Sequence, residues 1–253
     1  MQLNAIEAGG GRLLVILHGL LGSARNWGAM VRDLGRERAV VALDLPNHGA
    51  SPWSESVDYP FLAAQVAGEI ERRGAPAALI GHSMGGKAAM ALALTRPELV
   101  ERLLVVDIAP VAYRHTFAPY IRAMRAAALD QATRRADVDS MLERQIPEPA
   151  VRAFLLQNLE GVAGSFRWRA NLAALNAGMD EILGFPDFDG RRFDGPALFL
   201  AGADSDYVRP KHEPAIHRLF PAADIEMVSG AGHWVHADQP QAFLAAARRF
   251  LAG

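Results

Sequence analysis

Cysteine is absent from this chain of 253 residues. That excludes disulfides, thiolate metal sites and a cysteine nucleophile, and it leaves the redox compartment open. A charge surplus is missing too: 26 Lys and Arg stand against 28 Asp and Glu, a formal net charge of −2. This argues against nucleic acid, or an anionic membrane surface, as the main partner. The first residues carry no basic segment, and the apolar run Leu13–Leu17 is far too short for a signal core or a membrane span. A cytoplasmic protein with no membrane insertion is expected. The Gly9-Gly10-Gly11 run lacks a GxxxxGK[ST] pattern and opens no long helix, so it reads as a turn between two strands rather than a phosphate loop.

What is present is an ordinary globular composition, at a length that one α/β domain plus a modest insertion fills. Short apolar runs at Leu13–Leu17, Ala39–Leu43, Ala77–Ile80, Leu103–Val106, Ala197–Leu200 and Ile225–Val228 predict buried strands. Helical spacing lies between and after them, at Trp27–Leu34, Phe61–Arg72, Lys87–Leu94, Pro210–Phe220 and Gln239–Leu251. Such alternation builds a mostly parallel sheet flanked by helices. From about Val111 to Phe193 the alternation stops, and Arg- and Ala-rich helical pattern is punctuated by Pro147, Pro149 and Pro186. A structureless loop of that length is improbable in a compact domain. The expected organisation is therefore a core of residues 1–110 and 194–253 with a helical cap of residues 111–193.

The chemistry concentrates where Ala77-Ala78-Leu79-Ile80 runs into Gly81-His82-Ser83-Met84-Gly85, followed at once by helical pattern. A G-x-S-x-G string between strand and helix is the context of a nucleophile elbow, in which a strained turn exposes the serine and only small residues fit two positions to either side. The N–H of Met84, at the start of the helix, can then face a developing oxyanion. A second donor is expected from the turn His18-Gly19-Leu20-Leu21-Gly22 after the first buried strand, with the Leu20 N–H as candidate and His18 holding the loop. The base is expected from the loop after the last strand. There Ser229-Gly230-Ala231-Gly232-His233 places His233 between glycines. His236 nearby raises a metal site, but no third ligand is obvious in the sequence and none is expected. His48, His115, His212 and His217 carry no motif and read as loop or surface residues.

Together, His18-Gly19…Gly22, Asp44-Leu45-Pro46-Asn47-His48-Gly49-Ala50-Ser51, Gly81-His82-Ser83-Met84-Gly85-Gly86 and Gly232-His233 resemble the α/β-hydrolase superfamily, in the right order across nearly the whole chain. The strings GHSMGGKAAM, VVDIAP, FRWRANLAAL and GAGHWVHADQP are similar to small bacterial esterases with acyl-CoA thioesterase-like activity and their mitochondrial abhydrolase relatives. The resemblance implies an α/β-hydrolase fold and a triad acid, usually taken from a loop of the form G-x-x-D-x-x-V-P. Here that loop reads Gly202-Ala203-Asp204-Ser205-Asp206-Tyr207-Val208-Arg209-Pro210, with Ser205 at the acid's position. A serine cannot hold a charge against imidazolium. Asp107 ends the strand after the nucleophile's helix, and in the esterase branch this aspartate is the acid. Asp107 is the expected acid with Ser205 as its hydrogen-bond partner, and Asp206 and Asp204 are the alternatives.

These roles predict a carboxylic ester hydrolase acting on short to medium acyl chains, with acyl-CoA thioesters as further substrates and no metal or organic cofactor. Carbon–carbon bond hydrolysis and cofactor-free haloperoxidase chemistry use the same serine triad and remain open, as does a ligand receptor. For the substrate, Trp168, Leu172 and Trp234 are the expected contacts, with Phe166 and Leu175 on the same apolar pattern. Arg167 and Arg169 are either solvated or placed for a phosphate-bearing thioester. Lys87 reads as structural or salt-bridged.

Overall fold

Leu13–Leu17 forms a strand with every residue buried, the condition of a strand covered on both faces. The computed structural model describes all residues except His115, Ala163, Asp189 and Gly253. In chain order the first half consists of β1 (Ala5–Ala8), β2 (Leu13–Leu17), α1 (Gly28–Leu34), β3 (Ala39–Leu43), α2 (Tyr59–Arg73), β4 (Ala77–His82), α3 (Met84–Thr95) and β5 (Val100–Val106). The intervening segment carries α4 (Ala118–Ala126), α5 (Arg135–Glu143), α6 (Pro149–Leu156), β6 (Leu159–Val162), β7 (Ser165–Trp168), α7 (Leu172–Ala177) and α8 (Met179–Leu183). The chain then returns through β8 (Ala197–Gly202), α9 (Glu213–Leu219), β9 (Ala223–Val228), α10 (Val235–Asp238) and α11 (Pro240–Ala252).

Seven strands form one sheet in the order β1-β3-β2-β4-β5-β8-β9. All pairs are parallel except β1 with β3. Alternate residues of each strand enter different cores. Leu13, Val15 and Leu17 join Leu79, Leu103 and Val105 under α2 and α3, while Leu14 and Ile16 join Ile80, Leu104 and Val106 under α1 and α11. This period-two partition fixes register, because a one-residue slip would exchange the two sets. Helix α3 is buried from Met84 to Leu94, which explains its apolar composition all round. Helix α2 starts where the Asp58 carboxylate accepts the Phe61 N–H at 2.8 Å and ends at Gly74, whose φ is 93°.

Two expectations change. The glycine turn does not close a hairpin: β1 pairs antiparallel with β3, not with β2. Gly9 has φ 79°, and a Cβ there would sit 2.0 Å from the Gly35 carbonyl oxygen, so close approach of two chains requires glycine. The purely helical reading of residues 111–193 is corrected by the antiparallel hairpin β6–β7. Its strands have four residues each, and only Leu159 among them is buried. Phe166 and Trp168 turn inward and Ser165 and Arg167 outward, a period-two signal too short to separate from helical pattern.

Candidate active site

Strand β4 passes into α3 through Ser83, whose φ of 52° and ψ of −120° lie outside the ordinary regions for a side-chain-bearing residue. A Cβ on Gly81 would approach the Gly85 carbonyl oxygen to 2.4 Å, and one on Gly85 would approach that of His18 to 2.4 Å. The two glycines of the motif are therefore demanded by backbone packing. The turn is held by the Ser83 N–H donating to the Val106 carbonyl at 3.1 Å and the Lys87 N–H donating to the Ser83 carbonyl at 3.0 Å. Met84 is the first residue of α3, where backbone N–H groups have no helical acceptors and favour negative charge.

The loop after β2 lies over this turn. His18 is buried; its Nε2 accepts the Leu45 N–H at 2.9 Å and its Nδ1 donates to the Gly19 carbonyl at 2.8 Å. The Gly22 N–H closes the turn on the Gly19 carbonyl at 2.9 Å. Leu21, with φ 58°, donates its N–H to His48 Nε2 at 3.1 Å and accepts from Asn158 Nδ2 at 2.7 Å. Leu20 is thus carried by a loop fixed on both sides. Its neighbour segment is equally braced: Asp44 accepts the N–H groups of Ala24 at 2.7 Å and Ala50 at 2.8 Å.

On the same edge of the sheet, Asp107 follows β5 with φ 51° and no solvent exposure. Its Oδ2 accepts His233 Nδ1 at 2.7 Å and the Ser205 hydroxyl at 2.5 Å, and its Oδ1 accepts the Gly202 N–H at 3.0 Å. Three donors compensate the carboxylate for lost water. The other aspartates point elsewhere, since Asp206 pairs with Arg209 and Asp204 is exposed. The His233 ring is stacked on Tyr207, with centroids 4.0 Å apart, and its carbonyl accepts His82 Nε2 at 2.9 Å. Because Nδ1 donates to Asp107, Nε2 of the neutral ring is left as the basic nitrogen.

Ser83 and His233 line one cavity of about 410 Å³, together with His18, Gly19, Leu20 and Trp234. Phe117, Ala150, Phe154 and Gln157 of the intervening segment also line it. Of the expected substrate contacts only Trp234 is there. Trp168 faces a separate groove beside Trp53 and donates its Nε1–H to the Met124 carbonyl at 2.8 Å, and Leu172 is buried in the core under α2 and α3. An apolar pattern records that a side chain is covered, not by what, and both lie outside the cavity that Ser83 and His233 line. Arg167 and Arg169 each pair with Glu160 at 2.7 Å.

The histidines divide differently from the sequence reading. His48 is buried rather than a surface residue, and burial lowers its pKa to about 3. His212 is also buried, next to Tyr113, His217 is exposed, and His115 lies outside the described residues. His236 stacks on Trp27 with centroids 4.0 Å apart, its pKa likewise pushed to about 3 by burial. Burial also holds His82 well below its ordinary value, reinforced by the charges His233 and His236 would carry. Lys87 is buried, with no carboxylate partner among the described residues; its Nζ donates to the carbonyls of Leu183 at 2.8 Å and Gly184 at 2.6 Å. Desolvation lowers its pKa to about 7. His48 and Asn158 were not picked out as loop braces from the sequence, because the groups they hold are 27 and 137 residues away.

Comparison with known proteins places this geometry among relatives. The model of an alpha/beta hydrolase family matches residues 14–247. The sn-1-specific diacylglycerol lipase ABHD11 of Mus musculus is 43% identical over 94% of this chain and 80% of its own length. The Esterase YbfF of Escherichia coli is 36% identical over 94% of this chain and 92% of its own. Among solved structures, a marine microorganism esterase superposes with a TM-score of 0.95 at 34% identity, over 98% of this chain and 99% of that one.

Proposed function

The chain belongs to the alpha/beta hydrolase family and is a carboxylic ester hydrolase, and from that premise we propose a Ser83–His233–Asp107 mechanism. The observation that carries it is the 2.7 Å hydrogen bond from His233 Nδ1 to the buried Asp107, beside a strained Ser83 that shares one cavity with the histidine. His233 Nε2 takes the Ser83 proton as the hydroxyl attacks the acyl carbon, and Asp107 stabilises the imidazolium. The N–H groups of Leu20 and Met84 receive the oxyanion. His233 returns the proton to the leaving alcohol, and water then attacks the acyl-enzyme by the same route. Ser205 donates to Asp107 and positions it. Residues 111–193 act as a cap, whose Phe154 packs against Trp234 in the wall of the cavity.

A thiol leaving group follows the same path, so thioesters are included as substrates. The test is hydrolysis of p-nitrophenyl esters by wild type, Ser83→Ala and Asp107→Asn. Loss of roughly 10⁶ in kcat is expected for the serine and roughly 10⁴ for the aspartate. Near wild-type rates for Asp107→Asn would remove Asp107 from the mechanism while leaving the hydrolase intact.

A further inference from the structure

Ser83 lies where two spaces meet. Besides the cavity of about 410 Å³ it lines a pouch of about 30 Å³, and Leu20 and Phe117 also border both. His233 lines the large cavity but not the pouch, whereas Met84 lines the pouch but not the cavity. We propose that the pouch takes the acyl group and the large cavity the leaving group, so that the preferred substrates are esters of short acids with bulky alcohols or thiols. The inference rests on the proposed triad, because the proton returned to the leaving group comes from His233 and the leaving group must lie on its side. The acyl carbon keeps its remaining substituent on the other side, next to the oxyanion donors.

The size of the pouch sets the limit. At about 30 Å³ the pouch is much the smaller of the two spaces, which suits a short chain such as a propionyl or butyryl group rather than a long one. The walls are fastened. Lys87 Nζ holds the carbonyls of Leu183 and Gly184 at the end of α8, and the Tyr59 hydroxyl donates to the Ile182 carbonyl. The Tyr113 hydroxyl donates to the Tyr207 carbonyl at 2.6 Å while accepting the Ala109 N–H at 2.9 Å. Opening the pouch for a longer chain would break buried hydrogen bonds. Tyr207 forms the wall toward His233 through the stacked rings.

The experiment compares two substrate series on the wild-type enzyme: p-nitrophenyl esters from two to twelve acyl carbons, and acetates of alcohols from ethyl to naphthyl. Expected is a fall in kcat/KM of about tenfold per carbon beyond four in the acyl series, with little dependence on alcohol size. Ile182→Ala should move the acyl limit outward by one or two carbons and leave the alcohol series in the same order. Ile182→Val, which removes a single carbon, gives a smaller shift in the same direction should the alanine variant fail to fold. Fast turnover of long acyl chains with rejection of bulky alcohols would reverse the assignment, and a flat acyl series would also overturn it. Absence of turnover on every ester would instead bring down the hydrolase reading, and the side assignment with it.

Discussion

The strand-edge loops and the segment between β5 and β8 contribute to the same cavity but are held together by different physics. At the edge, backbone approaches backbone. Gly81 and Gly85 sit where a single Cβ would collide with a carbonyl, and His18, His48 and Asp44 spend their side chains on main-chain groups. In the intervening segment, apolar side chains such as Ile121, Met124 and Leu142 pack on the core, and several of its polar residues pair near the surface, as Glu160 does with Arg167 and Arg169. The first kind of structure tolerates few residues at each position, and the second tolerates many. The contrast also explains where strain is found: Leu21, Asn47, Ser83 and Asp107, the described non-glycine residues with positive φ, all lie in the edge loops.

That contrast can be broken most sharply at Gly85. Gly85→Ala forces the His18 carbonyl to move and should destabilise the protein by about 3 kcal/mol or more, measured by urea unfolding. A loss below about 1 kcal/mol would show that the edge gives way as readily as the insertion. A smaller effect is expected from acid. The pKa of His48 is about 3 in the fold against 6.5 for the free side chain, so the unfolded chain binds a proton first as pH falls, and stability drops from pH 6.5 toward 3. His48→Gln keeps an acceptor for the Leu21 N–H and cannot titrate. The stability gap between wild type and this variant should shift in the variant's favour by about 1–2 kcal/mol between pH 7.5 and 5. A constant gap would mean that His48 takes its proton without leaving the loop. Least of all should follow from Arg167→Ala, whose exposed partner contact is worth at most about 0.5 kcal/mol; a larger loss would make the hairpin a structural element of the same kind as the edge.

Legibility in the sequence followed the same division. The elbow could be read because steric demand leaves Gly81, Ser83 and Gly85 as a visible string between a strand and a helix. His233 stood out because it follows glycine in the loop after the last strand, and the structure brings it to the cavity that Ser83 lines. Asp107 was different: its position after β5 was compatible with the role, but the choice over Asp204 and Asp206 leaned on family resemblance. What supports the proposed choice is a carboxylate buried among three donors, His233 one of them. The hairpin β6–β7, the side taken by Trp168 and the burial of His48 were not legible. They depend on which distant element covers a short segment, and a local pattern carries no record of that.

The bond from Asn158 to the Leu21 carbonyl bears on modularity. Insertions of this sort are attractive units for exchange, since they leave and re-enter the sheet at neighbouring strands, β5 and β8. Here the unit is wired to the core at several points, two of them next to the site: Asn158 clamps the loop that carries Leu20, and Leu183 and Gly184 receive the Lys87 amine from beneath. A chimaera that imported a foreign segment for residues 111–193 would have to import an amide donor and a pair of free carbonyls at matching places. Otherwise it would inherit a new roof over a loosened floor, trading catalytic power for whatever selectivity the graft was meant to bring.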